Sequence, residues 1–274
     1  MPEGPEIETI RSTLEEKVRG RRISEVWRSP LAFRTPSKTD DFLFLIGDRI
    51  NELTRVAKIL MIETDQHRGL VIRFGMSGRM SFEPVSSERP KHTHLVIRFV
   101  DSDCELRFVD ARRFGDVAPY KSEQERERLL FGIGPDGLTI SDQQISELAK
   151  KIKRSQREIK VLLLDQGMVS GVGNIYACEA LFLARILPTH RSSDLSLKQI
   201  ARVLKASKDV MLKAVANKGT TFMSYVDGNG EKGGNQNHLA VFAKEGQPCP
   251  VCARPIKRIV QAGRSTFYCA HCQK

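Results

Sequence analysis

The chain has 274 residues, 40% hydrophobic and 28% charged, an ordinary balance for a folded protein and too apolar for wholesale disorder. Lysine and arginine outnumber aspartate and glutamate 44 to 33, giving +11, which suits a polyanionic partner because each neutralised phosphate releases counterions. No apolar run approaches the roughly 18–20 residues of a spanning helix, and Glu3, Glu6 and Glu8 make the start unlike a signal peptide. A membrane protein is thereby the poorer candidate, and a cytoplasmic or nucleoid-associated one is expected.

Two domains plus a small module fit this length. Pro2 to Gly20 predicts a helix after a short extended start: Ile7, Ile10, Leu14 and Val18 keep one apolar face, Pro5 fits a first turn, and Gly20 can close the end. From about Ile23 to Tyr120 the pattern turns strand-like. The runs 70–74, 94–100 and 105–109 are rich in β-branched and aromatic residues, as in a sandwich of antiparallel strands. Phe131 to Gly137 is turn chemistry and a domain boundary. Beyond it, helices are predicted at 141–153, 156–166 and 174–184, and a longer one from Ser196, with Gln199 placed for a capping box, to Gly219. The glycine-rich stretch 167–174 is not helical, and 227–237 reads as a mobile loop.

Cys104 and Cys178 stand alone in apolar stretches and are expected as buried free thiols. Cys249, Cys252, Cys269 and Cys272 form two C-x-x-C pairs with sixteen residues between them. Each pair places two thiolates on a tight turn, and two turns complete a tetrahedral cage. A disulfide pair is the competing reading, and without a signal peptide it is the weaker one. One structural zinc ion is predicted.

The opening Met-Pro-Glu-Gly-Pro-Glu has its own chemistry. Removal of the initiator methionine would expose Pro2 as a secondary α-amine, which titrates well below a lysine and keeps a neutral fraction at cellular pH. Attack on a nucleoside C1′ would give a charged iminium, an electron sink. Glu3 is placed to protonate the sugar ring oxygen, and Glu6 to support the geometry from the helix start. Pro and Glu are also common in first turns for capping alone.

The stretch Leu162–Tyr176, LLLDQGMVSGVGNIY, closely resembles the helix–two-turn–helix of the formamidopyrimidine-DNA glycosylase / endonuclease VIII family, and the terminal cysteines resemble that family's zinc finger. With Met-Pro-Glu, three motifs in order cover essentially the whole chain. The resemblance implies an α+β multidomain fold: an N-terminal helix plus antiparallel β-sandwich, then a C-terminal helix–two-turn–helix domain with a four-cysteine zinc finger. The implied organisation is a catalytic domain over 1–133, a DNA-binding domain over 134–222, a lesion-capping loop and connector over 223–243, and the finger over 244–274.

It further implies a monomeric base-excision-repair glycosylase and AP lyase acting on double-stranded DNA with a damaged base or abasic site, nicking by β,δ-elimination. Pro2 would be the nucleophile, with Glu3, Glu6 and Lys58 in the catalytic set. Lys160, Asn174 and Arg264 would hold phosphates, with a further DNA contact at His92. Met76, Arg112 and Phe114 match the trio that fills the hole left by a flipped nucleotide. That trio and the loop length favour oxidised purines. Gly4 and Ile7, with Arg73 and Asn235 where the formamidopyrimidine branch commonly has histidine and an aromatic, keep endonuclease VIII-like action on oxidised pyrimidines as the alternative. A zinc-ribbon DNA-binding protein without catalysis is the third reading.

Overall fold

The structure is a computed structural model, described over residues 2–31 and 33–274. Helix α1, Gly4–Val18, begins where Pro5 supplies a preset φ and ends before Gly20, whose φ of +78° turns the chain. Ile7, Ile10, Leu14 and Val18 are fully buried along one face. At about 1.5–3 kcal/mol per aliphatic side chain, that face contributes roughly 6–12 kcal/mol of gross burial energy.

Eight strands follow: β1 Ile23–Arg28, β2 Ile50–Val56, β3 Ile59–Thr64, β4 Gly69–Arg73, β5 Arg79–Pro84, β6 Thr93–Phe99, β7 Cys104–Val109 and β8 Asp116–Tyr120. They form two antiparallel four-stranded sheets, ordered β1-β6-β7-β5 and β2-β3-β4-β8. Leu53, Leu60, Phe74, Leu95, Leu106 and Phe108 share a core with the α1 face. A 3-10 turn at Thr39–Leu45 and helix α2, Glu123–Leu130, were outside the sequence reading. α2 starts on Ser122, which accepts Glu125 N, and none of its residues is buried, so it offers no apolar periodicity to detect.

The helical part contains α3 Asp142–Lys153, α4 Ile159–Leu163, α5 Asn174–Leu183 and α6 Leu197–Ala216, then the hairpin β9 Lys257–Gln261 and β10 Arg264–Tyr268. Predicted helix 156–166 shrinks to α4, because an antiparallel bridge from Glu158 to Arg191 and a bond from Ile159 N to His190 O hold its start extended. By internal packing the chain divides into two compact units, Met1–Phe131 with Asn217–Gly234, and Gly132–Ala216 with Asn235–Lys274. Within the segment read as a mobile loop, Asp227, Gly228, Gly233 and Asn235 are buried, while residues 229–232 are exposed. Cys178 is buried as expected, whereas Cys104 is only half-buried at the start of β7. Among the described residues no helix is long and apolar enough to cross a membrane.

Candidate active site and nucleic-acid interface

Pro2 and Glu3 precede the first turn of α1, and both are buried. Glu3 is the N-cap residue, in extended conformation. Glu6 uses both carboxylate oxygens: Oε2 accepts Glu3 N at 2.9 Å and Oε1 accepts Thr220 N at 2.7 Å. Glu6 therefore fixes the backbone that carries Glu3 and also joins α1 to the segment after α6. Tyr225 lies beside it, its hydroxyl donating to Lys218 O at 3.2 Å and to Glu6 O at 3.5 Å. Burial, reinforced by the Glu6 charge, raises its phenol pKa well above the ordinary range. Tyr225 was not singled out from sequence, since its role depends on a residue 219 positions away. The partial positive charge of the helix start favours anions here.

Lys58 sits in the β2–β3 turn, next to Ala57 in the left-handed region at φ 58°. Arg55 ties this turn to α1, donating to Ala57 O at 2.8 Å and to Glu8 Oε2 at 3.0 Å. Pro2, Glu3, Glu6 and Lys58 thus belong to one unit with a shared scaffold.

Two turns of the same unit carry the expected wedges. Met76 and Phe114 are 44% and 50% exposed. Arg112 is exposed, its guanidinium carbon 4.7 Å from the Phe114 ring. Asp110 organises both turns: its carboxylate accepts from Ser77 Oγ, from Arg112 N at 3.2 Å and from Gly115 N at 2.8 Å. Gly75, at φ +58°, lies so close to the Phe114 backbone that a Cβ would stand 2.4 Å from it. His92 is exposed, and its carbonyl accepts Asp110 N. The nearby His94, read from sequence only as part of a strand, is buried between Ser29 Oγ at 2.8 Å and Asp110 O at 3.1 Å. Burial keeps its pKa below the ordinary histidine value, so it buttresses Asp110 as a neutral ring.

In the second unit, the glycine turn 167–173 is stapled by Gln166, which accepts Gly171 N at 3.0 Å and donates to Val172 O at 2.9 Å. Asn174 begins α5 directly after it. Lys160, expected at a phosphate, exposes no surface. Its ammonium donates to Asn174 Oδ1 at 2.7 Å and Thr266 Oγ1 at 2.8 Å. Lys160 thereby holds Asn174 and β10 together. Asn174 in turn donates to Ser265 O at 2.9 Å. Arg264 is exposed beyond the Ala262–Gly263 turn, both of whose residues have positive φ.

The four paired cysteines place all their sulfurs within 4.8 Å of one another. Sulfurs 2.3 Å from a tetrahedral zinc stand about 3.8 Å apart, and the Cys249–Cys272 and Cys252–Cys269 separations are 3.9 and 3.5 Å. Burial and the three neighbouring sulfurs push the Cys272 thiol up to about 12, a proton that a bound dication displaces. The donor set fits one structural zinc.

Comparison with known proteins matches the chain to the formamidopyrimidine-DNA glycosylase N-terminal domain over residues 1–117 and the H2TH domain of the same enzyme over 133–225. Residues 246–274 match the zinc finger found in FPG and IleRS. The chain is 37% identical to formamidopyrimidine-DNA glycosylase of Listeria innocua and 39% to that of Geobacillus kaustophilus, covering 100% of both chains in each pair. The chain belongs to the formamidopyrimidine-DNA glycosylase family. A solved member, wild-type Lactococcus lactis Fpg in complex with N7-benzyl-Fapy-dG DNA, superposes at TM-score 0.89 with 30% identity over 100% of both chains. The complex of the same Lactococcus protein with abasic-site DNA superposes at 0.88 over 99% of both.

Proposed function

We propose that this chain is a DNA glycosylase and AP lyase of base excision repair that removes oxidised purines, 8-oxoguanine and formamidopyrimidines, through Pro2. The observation that carries the reading is the buried Pro2–Glu3 pair at the start of α1, fixed by Glu6. With the initiator methionine removed, the Pro2 nitrogen attacks C1′ of the damaged nucleoside, Glu3 delivers a proton to the opening ring oxygen, and the base departs. The resulting iminium acidifies the C2′ proton, and β- then δ-elimination leave a one-nucleotide gap.

Around this centre Lys58 faces the lesion phosphate, and Asn174 and Arg264 bind flanking phosphates, Arg264 with a planar fork suited to them. Lys160 joins them at the backbone phosphates and, with the zinc ribbon, holds Asn174 and β10 together. Met76 and Phe114 fill the vacated stack, Arg112 meets the orphaned base, and His92 adds a backbone contact. The site of action is chromosomal DNA in the cytoplasm. Borohydride reduction with abasic-site DNA should trap one covalent adduct, mapping to Pro2. A crosslinked peptide containing Lys58 instead would refute the assignment.

A further inference from the structure

The segment Asn217–Gly234 forms a closed loop within the first unit. Its legs are joined by Gly234 N to Asn217 O at 2.9 Å, and Gly233 packs so tightly on Gly219 O that a Cβ would stand 2.1 Å away. Asp227 Oδ1 accepts Asn229 N at 2.8 Å and Glu231 N at 2.9 Å, reversing the chain. Besides the Tyr225 hydroxyl on Glu6 O, two bonds to side chains of α1 hold this loop. One grip is Glu6 on Thr220 N. The other is Thr13, about 10 Å further along the helix axis, whose hydroxyl accepts Gly228 N at 3.0 Å while its proton is turned to Thr9 O at 2.8 Å. A Cβ on Gly228 would stand 2.6 Å from Leu14 Cγ, so close approach requires glycine there. Between those two bonds, Phe222 and Met223 are 49% and 92% exposed, the apolar part of an exposed stretch.

We infer that Thr13 is a positioning residue for base excision: by holding Gly228 it keeps this apolar stretch beside the N-terminus of α1, where an extruded base is cleaved. The inference rests on the Pro2 reading above. An abasic site presents no base for the stretch to cover, so the grip matters for an intact damaged base and is dispensable for strand cleavage at a preformed abasic site. Thr13→Val keeps the shape of the side chain and removes the acceptor, and Thr13→Ser keeps the hydroxyl.

Single-turnover rates on one duplex, carrying either an oxidised purine or an abasic site, test this. Thr13→Val should excise the base about tenfold more slowly, the scale of one lost hydrogen bond, and cleave the abasic site at the wild-type rate. Thr13→Ser should restore excision, and Gly228→Ala should behave like Thr13→Val by steric displacement. Hydrogen exchange without DNA reads the grip directly: the Gly228 amide should exchange faster in Thr13→Val while the sandwich amides are unchanged. Unchanged exchange at Gly228, or equal losses on both substrates, overturns the inference. A wild-type protein inactive on both duplexes, yet showing the exchange difference, would fault the Pro2 reading and leave the grip standing.

Discussion

The Lys160 ammonium lies 2.7 Å from Asn174 Oδ1 and 2.8 Å from Thr266 Oγ1, so one buried charge joins the start of α5 to the zinc hairpin. Lys160→Met should destabilise the protein by about 3 kcal/mol, since its charge-assisted bonds go and their acceptors stay covered. DNA affinity should fall with zinc content unchanged. Denaturant unfolding and salt-dependent DNA titration separate the roles. A side chain that only touched phosphate would lower the salt slope by about one and leave stability alone.

Glu3→Gln should abolish base excision and spare much of the cleavage at a preformed abasic site, where the sugar ring already opens without a proton from Glu3. Rates on the two substrates, measured side by side, give the answer. Equal losses would remove the separate role of Glu3.

Zinc should be present at about one equivalent, as a closed four-thiolate site requires. Cys249→Ser or chelation should release it and weaken DNA binding by disordering the ribbon that carries Arg264. Metal analysis with a binding titration checks both, and full affinity in a metal-free protein would contradict the positioning role.

Arg112 can donate to both O2 and N3 of cytosine, whereas adenine opposes it with an amino donor. A bidentate base contact is worth roughly 1–3 kcal/mol of discrimination. Excision of 8-oxoguanine should be faster opposite cytosine than opposite adenine, and Arg112→Ala should narrow the gap. No cytosine preference, together with faster cutting of thymine glycol, would move the chain to oxidised pyrimidines.

Glu105 has no exposed side-chain surface and is ringed by Arg89, Arg98 and Arg107. Burial raises its pKa, but the three guanidinium partners outweigh that and hold it at about 2, below an ordinary 4.5. Because the folded value is the lower one, the unfolded chain takes up the proton first as pH falls. Roughly 3 kcal/mol of stability, complete above pH about 5, should therefore disappear as pH drops toward about 2. Glu105→Gln should flatten this part of the acid-unfolding curve; an unaltered curve would show that the cluster does not set acid stability.

Much of this was legible in the sequence where the signal is local. The α1 face repeats every three to four residues, and strands β4, β6 and β7 fall within one residue of the runs read at 70–74, 94–100 and 105–109. The cysteine spacing identified the zinc cage. What escaped depends on partners remote in the chain. Lys160 reads as a surface lysine until Thr266 is known to sit over it, 106 residues on. Glycines 228 and 233 read as flexibility, yet both are there because another backbone or side chain comes too near for a Cβ. His94 hides within a strand of buried residues and has no motif of its own.

The carboxylate of Asp110 serves the turn of Met76, through Ser77, and the turn of Arg112 and Phe114 at once. The two turns consequently share one set of backbone constraints. Asp110 meets Arg112 at the backbone N–H of Arg112 and not at its side chain, so the side chain at 112 can change while Gly75, Ser77 and Asp110 keep both turns in place. Among relatives, Gly75, Ser77 and Asp110 should accordingly change together or not at all, while the side chain at 112 is freer to vary from one to the next.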